Sequence, residues 1–526
     1  MRVSGLLRSN LVVAAGTALS RLTGLVRVMV LAAIIGRAAL GDAYRIGNET
    51  PNIVYELLLG GVLSATLVPL FSAFAEDDDD DSTNAIITAA TIGLLVLTAI
   101  AVLVAPLVFG IYSVNVSDGV DADAFRRAGT ALTRIFLVQI LFYGITALAS
   151  AVLNSRRRFF AAAWTPVLAN VVTIAALLSL PDPGDGGWSY LDVLDDGRLR
   201  LTLSLGATAG IALMAAVLVV AVRRSGFRFH PVFDLRHPAV RKLLTMSGWT
   251  LGYVIANQVS LAVVRNLAKP GSGDATAYFD AYTLFVLPHG LLGVSIATTF
   301  VPEMARAAAR RDGKAFVDRT SLGIRLVAML TMPAGVLLFA LRRPIVGALL
   351  QRGEYSAADA LITSRALAGF ALGLCAFSVY LFVLRGFYAH HDTRTPFAIN
   401  VGENILNVVL AVVLVDRYGV LGLGASFAIS YALAAAGALV VLHTKVRGFA
   451  LRDIWASLGR ICLAGALMGE AAWFVAREIG GNAGTDAVVR VGAASVGAIA
   501  VYVAILMLVE APELGDIRRQ ARPGVT

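Results

Sequence analysis

The sequence predicts an all-α polytopic membrane protein of about 14 transmembrane helices, built as two parallel-oriented six-helix lobes followed by a C-terminal helix pair. Three observations predict it: bulk composition, a train of long apolar runs, and a weak internal repeat. Hydrophobic residues make up 58% of the 526 residues and charged residues 15%, with a mean hydropathy of +0.76. Soluble domains carry about 25% charge. One globular core cannot hide so much apolar surface, so the bilayer must act as solvent.

The runs, each about 20 residues or more, fall near 11–36, 44–75, 85–111, 130–154, 161–180 and 201–222. A second series follows at 244–264, 275–301, 321–341, 360–384, 396–415 and 418–442, and a final pair at 459–477 and 488–509. At 1.5 Å per residue each reaches across a hydrocarbon core of about 30 Å. The organisation expected is an N-terminal lobe over 1–225, a C-terminal lobe over 226–445, and the last pair with a short tail over 446–526. The first run is broken by Arg21 and Arg27 and is followed by no small-residue cleavage site, so it is not a cleavable signal peptide.

An even number of spans puts both termini on one side, and loop charge says which. Arg156–Arg158, Arg223 to Lys242, Arg306 to Arg319, Arg385 with Arg394, and Lys445 to Arg460 share alternate loops with the N-terminus. The opposite loops, 112–129, 181–200, 265–274 and 342–359, are poorer in Lys and Arg. Both termini are therefore expected in the cytoplasm. The acidic stretch Glu76–Asp81 falls on the cytoplasmic side and reads as a solvated loop, since acids count little in setting topology. The net charge of +9 is spread over these short loops, which leaves no basic domain for nucleic acid.

Two matches at a common offset of about 230 residues carry the repeat. Gly61-Val62-Leu63-Ser64-Ala65-Thr66-Leu67-Val68-Pro69 in the second run resembles Gly293-Val294-Ser295-Ile296-Ala297-Thr298-Thr299-Phe300-Val301-Pro302 in the eighth. Thr165-Pro166 opens the fifth run as Thr395-Pro396 opens the eleventh. Six spans per repeat give halves of the same orientation, an architecture of transporters with the substrate path between halves.

Ionisable residues inside spans are expensive and usually face a polar path. Arg21 and Arg27 lie in the first run, about 120° apart on an ideal helix, with Gly24 between them to admit a bend. Glu49 and Glu56 share a stripe in the second, with Asn52 between them and Pro51 beside it. Arg27 sits roughly 13 Å and Glu56 roughly 16 Å below the outer surface, a match in depth that suits an ion pair. Arg134 and Arg265, near run ends, are expected to snorkel. Asp280 with Tyr278 and Tyr282 is a further candidate, and His289 reads as a hydrogen-bonded interior residue.

No catalytic constellation, P-loop or metal-ligand spacing occurs, so neither an enzyme nor a cofactor is expected. A polyprenyl-phosphate glycosyltransferase would need acidic motifs on a loop large enough for a sugar nucleotide, and the largest loops here are about 20 residues. Cys375 and Cys462 both lie inside apolar runs and imply no disulfide or metal site.

Several stretches resemble the MurJ (MviN) family of lipid II flippases, within the multidrug/oligosaccharidyl-lipid/polysaccharide (MOP) exporter superfamily. They are Ser20-Arg21-Leu22-Thr23-Gly24-Leu25-Val26-Arg27, Asp42-Ala43-Tyr44, Pro51-Asn52 through Val68-Pro69, and Leu287-Pro288-His289-Gly290 to Val301-Pro302. Leu350-Gln351-Arg352-Gly353 and Arg385-Gly386-Phe387-Tyr388-Ala389 with Asp392-Thr393-Arg394-Thr395-Pro396 complete the series, the last being the most specific. The resemblance implies a flippase that moves undecaprenyl-pyrophosphate-linked peptidoglycan precursor from the cytoplasmic to the outer leaflet of the bacterial inner membrane. Arg21, Arg27, Asp42 and Asn52 fall on family positions lining the central cavity, and the residue reading adds Glu49 and Glu56 to the substrate-binding set. The final helix pair would form a groove for the lipid tail. Membrane lipids and cell-wall synthesis proteins are the other implied partners. The chain departs from the family pattern at Tyr55 and Thr283, where many members are basic, and at Val28, where an acid is usual. Fewer cavity cations keep open a flippase for another lipid-linked oligosaccharide, or a cation-coupled multidrug antiporter.

Overall fold

A computed structural model describes residues 2–57, 67–77, 79–184, 186–234 and 236–515, with side chains described for all of these except 2–11, 53–57, 69 and 242–251. The regular structure of the described residues is all helical, with no strand. In chain order the helices are α1 (Arg2–Ile35), α2 (Ala39–Leu57), α3 (Val68–Glu76), α4 (Asp80–Leu103), α5 (Ala105–Ile111), α6 (Ala122–Phe136) and α7 (Gln139–Ser155). Then come α8 (Phe160–Leu178), α9 (Asp192–Asp195), α10 (Gly197–Arg224), α11 (Pro238–Leu267), α12 (Asp274–Pro288), α13 (Val294–Ala309) and α14 (Gly313–Ala340). The chain ends with α15 (Arg342–Leu350), α16 (Ala357–Ala371), α17 (Leu374–Ala389), α18 (Arg394–Tyr418), α19 (Val420–Lys445), α20 (Leu451–Glu478) and α21 (Gly484–Leu508).

Among the described residues, 11 helices are long and apolar enough to cross a bilayer, or 12 if the bent pair α16–α17 is one span. Of the two remaining runs, 244–264 falls within α11 and 44–75 lies partly outside the described residues. Several runs are interrupted, each for an identifiable reason. Pro106 cannot donate a backbone hydrogen bond, and it sits in the first turn of α5 where the 85–111 run breaks. Pro288 is followed by a π-helical turn, His289–Gly293, that joins α12 to α13. α16 and α17 bend by 46° at Leu372-Gly373, where a Cβ on Gly373 would lie 2.7 Å from the Ala428 Cα. That glycine admits the α19 backbone. The run at 130–154 begins earlier than expected, at α6, because Asp121 caps the helix by accepting from the Asp123 and Ala124 amides.

Two compact units result: Met1–Thr276 with Arg352–Tyr355, and Ala277–Gln351 with Ser356–Thr526. The first of these units runs as far as Thr276. The physical cause is local: the end of α11 and the segment after it are bonded into the first unit. Asn266 Oδ1 accepts from the amides of Val114 and Asn115 at 2.7 and 3.1 Å, and its Nδ2 donates to Ile111 O at 2.8 Å. Ser117 N donates to Pro270 O at 2.9 Å. Arg265, expected to snorkel, is instead buried with its guanidinium 4.7 Å from the Tyr112 ring centre.

In the second unit α20 and α21 pack into the main core. Gly465 and Gly469, one turn apart on α20, let Met332 and Val336 of α14 approach closely, and Tyr502 of α21 donates to Met329 O at 2.8 Å.

Candidate functional site

The candidate residues lie on α1 and α2. α1 runs unbroken through Gly24. Arg21 is exposed and Arg27 half-buried. Among the described residues neither makes a hydrogen bond or an ion pair. Other arginines of the chain are engaged, as Arg156 is with Asp80 at 3.0 Å and Arg325 with Glu513 at 3.3 Å. α1 is steadied by α8: Asn170 Nδ2 donates to Ser20 O at 3.1 Å and to Thr23 Oγ1 at 3.0 Å, on either side of Arg21. Trp164 Nε1 donates to Val12 O at 3.1 Å. The backbone carrying the two arginines is thereby held, and among the described residues no carboxylate meets their heads.

On α2, Glu49 and Asn52 are half-buried. Arg27, Arg45 and Glu49 all lie within electrostatic range of the buried Tyr44. Glu56 belongs to α2, but its side chain lies outside the described residues, as does that of Tyr55. Thr283, at the other departure from the family pattern, donates to Phe279 O of its own helix at 2.9 Å, and Val28 is buried. Two polar groups escaped the sequence reading. Arg45 is 7% exposed in the first turns of α2. Gln139, fully buried, donates to Asn48 Oδ1 and Thr208 Oγ1, both at 3.2 Å. The signal for each was present, since a charge or amide inside an apolar run is costly.

The resemblance puts Asp42 with the cavity-lining residues; the structure places its carboxylate in a closed clamp. It is fully buried in the first turn of α2. Oδ2 accepts from Gly271 N and Gly273 N, each at 2.9 Å, and Oδ1 from Thr276 N and Thr276 Oγ1, each at 2.7 Å. Four donors replace the water that a buried carboxylate loses. Thr276 lies in the first turn of α12, so Asp42 also satisfies one of that helix's orphan amides.

Gly273 is required here, with φ at +82° and an added Cβ only 1.7 Å from Arg37 O. Arg37 closes the other side, donating to Asp274 Oδ1 at 2.9 Å and Ser272 O at 3.3 Å. The Leu350-Gln351-Arg352-Gly353 motif ends at the same place: Glu354 N donates to Ala33 O at 2.9 Å. Gly353, at φ +56°, has room for no Cβ against that carbonyl.

Away from these helices, His289 is the hydrogen-bonded interior residue expected, with Nδ1 3.0 Å from Ser378 Oγ and its ring against Phe377. The acidic stretch is more than a solvated loop: Asp79 caps α4 through the Ser82 amide, and Asp81 meets His230 Nε2 at 2.8 Å. The Ser82 bonds hold the Asp79 carboxyl below its usual range. A cavity of about 950 Å³ opens between α14, α16, α17 and α20, walled by Val336, Phe339, Leu372, Trp473 and Phe474, with Arg342 and Glu470 on its lining. No group of His, Cys, Asp and Glu fit to hold a metal occurs among the described residues.

Long apolar helices in two compact units, with span-borne arginines that meet no carboxylate among the described residues, mark a helical membrane transporter. The chain belongs to the MurJ family of lipid II flippases, whose family model matches residues 31–485. It is 28% identical over 522 residues to the probable lipid II flippase MurJ of Vibrio cholerae, covering 96% of each chain. It is 29% identical over 443 residues to the lipid II flippase MurJ of Burkholderia cenocepacia, covering 81% of this chain and 82% of that one. Among solved structures, a lipid II flippase MurJ in an inward closed conformation superposes with a TM-score of 0.75 at 21% identity, over 95% of this chain and 98% of the other. An inward-facing multidrug resistance MATE transporter of the MOP superfamily gives 0.65 at 13% identity, over 82% and 95%. These two likenesses carry the fold.

Proposed function

We propose that this chain is a lipid II flippase of the bacterial inner membrane, moving undecaprenyl-pyrophosphate-linked peptidoglycan precursor from the cytoplasmic to the outer leaflet by alternating access. The observation that carries the site assignment is the pair Arg21 and Arg27, held in α1 by Asn170 and Trp164 and engaged by no carboxylate among the described residues. An unneutralised guanidinium inside a span costs several kcal/mol unless an anion meets it. A pyrophosphate does so through paired N–H donors in a planar fork, and exclusion of water strengthens each contact. Glu49, Asn52 and Glu56 on α2 complete the polar path in this reading. Asp42 serves by fastening α2 to the start of α12. The cavity beside α20 takes the polyprenyl tail, its apolar wall matching hydrocarbon. Both termini face the cytoplasm.

A strain depleted of its own flippase tests this reading. The parental chain restores growth and prevents accumulation of inward-facing lipid II, whereas Arg21→Ala and Arg27→Ala reach the membrane at normal levels and do neither. Accumulation of a different lipid-linked saccharide on depletion would redirect the substrate assignment.

A further inference from the structure

The linker between α10 and α11 is strapped along the first turns of α4. His230 is gripped there three times: Nε2 lies 2.8 Å from Asp81 Oδ1, Nδ1 lies 3.0 Å from Asn84 Nδ2, and its backbone N donates to Asn84 Oδ1 at 3.2 Å. Val232 N donates to Thr88 Oγ1 at 3.1 Å. Asp81, Asn84 and Thr88 recur at helical spacing, so the segment follows one face of α4. Phe227 fixes its start, buried in a core cluster with the Arg156 guanidinium 5.1 Å from its ring centre.

These bonds set the depth of the linker. The apolar run of α4 begins at residue 85, so Asp81 lies about 6 Å outside it, Asn84 at its edge and Thr88 about 5 Å inside. From His230 to Val232 the chain therefore descends through the boundary between lipid headgroups and acyl chains. At that level Phe229 and Phe233 are 52% and 79% exposed. A phenyl ring gains by leaving water, and at this depth hydrocarbon is at hand without a protein partner.

Charge says which lipid. Residues 223–236 carry four arginines against one aspartate, an excess of three. Arg223, Arg224 and Arg228 are exposed. The acids at the start of α4 are engaged inside the protein: Asp79 caps the helix, Asp80 pairs with Arg156 at 3.0 Å and Asp81 meets His230. Exposed Glu76 and Asp77 are offset by exposed Arg157 and Arg158.

We propose that the α10–α11 linker is an anchor in the cytoplasmic leaflet, in which Phe229 and Phe233 enter the headgroup–acyl boundary and Arg223, Arg224 and Arg228 hold the phosphates of anionic phospholipid. Aromatic insertion fixes the depth, and the arginines select the lipid, because that leaflet carries a negative surface potential. Each arginine is worth about 5-fold in partition to an anionic surface. The anchor relies on the topology proposed above and on nothing about the lipid-linked substrate, so its failure leaves the flippase reading standing.

Site-directed fluorescence of the full chain in nanodiscs tests the anchor. Cys375→Ser and Cys462→Ser remove the native thiols, and Phe233→Cys carries a bimane label. In nanodiscs of phosphatidylcholine with phosphatidylglycerol, bromine on the acyl chains should quench the label and aqueous iodide should not. Quenching by iodide in place of bromine sets the linker in water, open to a protein partner, and overturns the anchor.

Moving the bromine between the two lipids tests the arginines. At equal mole fraction, brominated phosphatidylglycerol should quench roughly 5-fold or more above brominated phosphatidylcholine. Arg223→Gln, Arg224→Gln and Arg228→Gln together should erase that preference while the label stays shielded from iodide. Equal quenching by the two lipids with the arginines intact, or a preference that survives their removal, overturns the phosphate contacts. If the triple variant fails to insert, the comparison with the arginines intact decides alone.

Discussion

Replacing Asp42 by Asn is the sharpest perturbation of the clamp between α2 and the start of α12. The substitution keeps the shape and converts one acceptor oxygen into an NH₂ donor. Placed toward Gly271 and Gly273, that NH₂ would face two amides, both now 2.9 Å from Oδ2. Placed toward Thr276 it faces one amide and one hydroxyl, and the hydroxyl can turn to accept. The second orientation is cheaper, with one NH₂ hydrogen on the turned hydroxyl, and it leaves the Thr276 N–H and the other NH₂ hydrogen without acceptors. These orphans, with the loss of charge-assisted bonds, cost about 3 kcal/mol, or roughly 150-fold in the opening equilibrium.

Asp42→Ala removes all four bonds and should cost about 4 kcal/mol, roughly 1000-fold. Hydrogen exchange read at Gly271, Gly273 and Thr276 measures that opening directly. Exchange should rise in the order parent, Asn, Ala, with amides in the α20–α21 pair unchanged. Equal exchange in all three proteins would refute the clamp.

Topology gives a second expectation: in intact cells Ser189→Cys reacts with an impermeant thiol reagent and Ser225→Cys does not, and the reverse pattern inverts the assignment. Asp392 gives a third. Burial alone would raise its carboxyl, but the Lys445 ammonium at 2.7 Å and two bonds from Thr395 outweigh it and hold it at about 2. A carboxyl lowered on folding stabilises above its unfolded value near 4 and loses that contribution as pH falls toward 2. Asp392→Asn should therefore lower thermal stability by an amount near 1 kcal/mol that is constant from about pH 5 to 8 and shrinks only below about 4. A difference that varies around neutral pH would assign the effect to another group.

How much of this was legible depended on how far apart the partners lie in the chain. Spans were legible because a bilayer imposes one long apolar run per crossing, a signal local to about 20 residues. Breaks at Pro106 and after Pro288 follow from single residues whose chemistry forbids a regular bond. Arg265 was misjudged because snorkelling is the cheapest fate for an arginine near a run end, and its partner Tyr112 lies in another helix. Asp42 was recognised as special without its role. Its donors, Gly271, Gly273 and Thr276, come from a segment more than 200 residues on, and nothing local announces that pairing. The bonds from Asn266 and Thr276 likewise join segments far apart in the chain, which a count of runs does not contain.

The central claim is that Arg21 and Arg27 bind the pyrophosphate of a lipid-linked precursor during transport. Liposomes holding the purified chain and lipid II, with the outward headgroup scored by an impermeant reagent, measure this most directly. The parental protein should expose the headgroup, and Arg21→Ala and Arg27→Ala should each slow exposure by roughly 10- to 100-fold, the worth of one charge-assisted contact. Translocation by both variants at the parental rate would contradict the account.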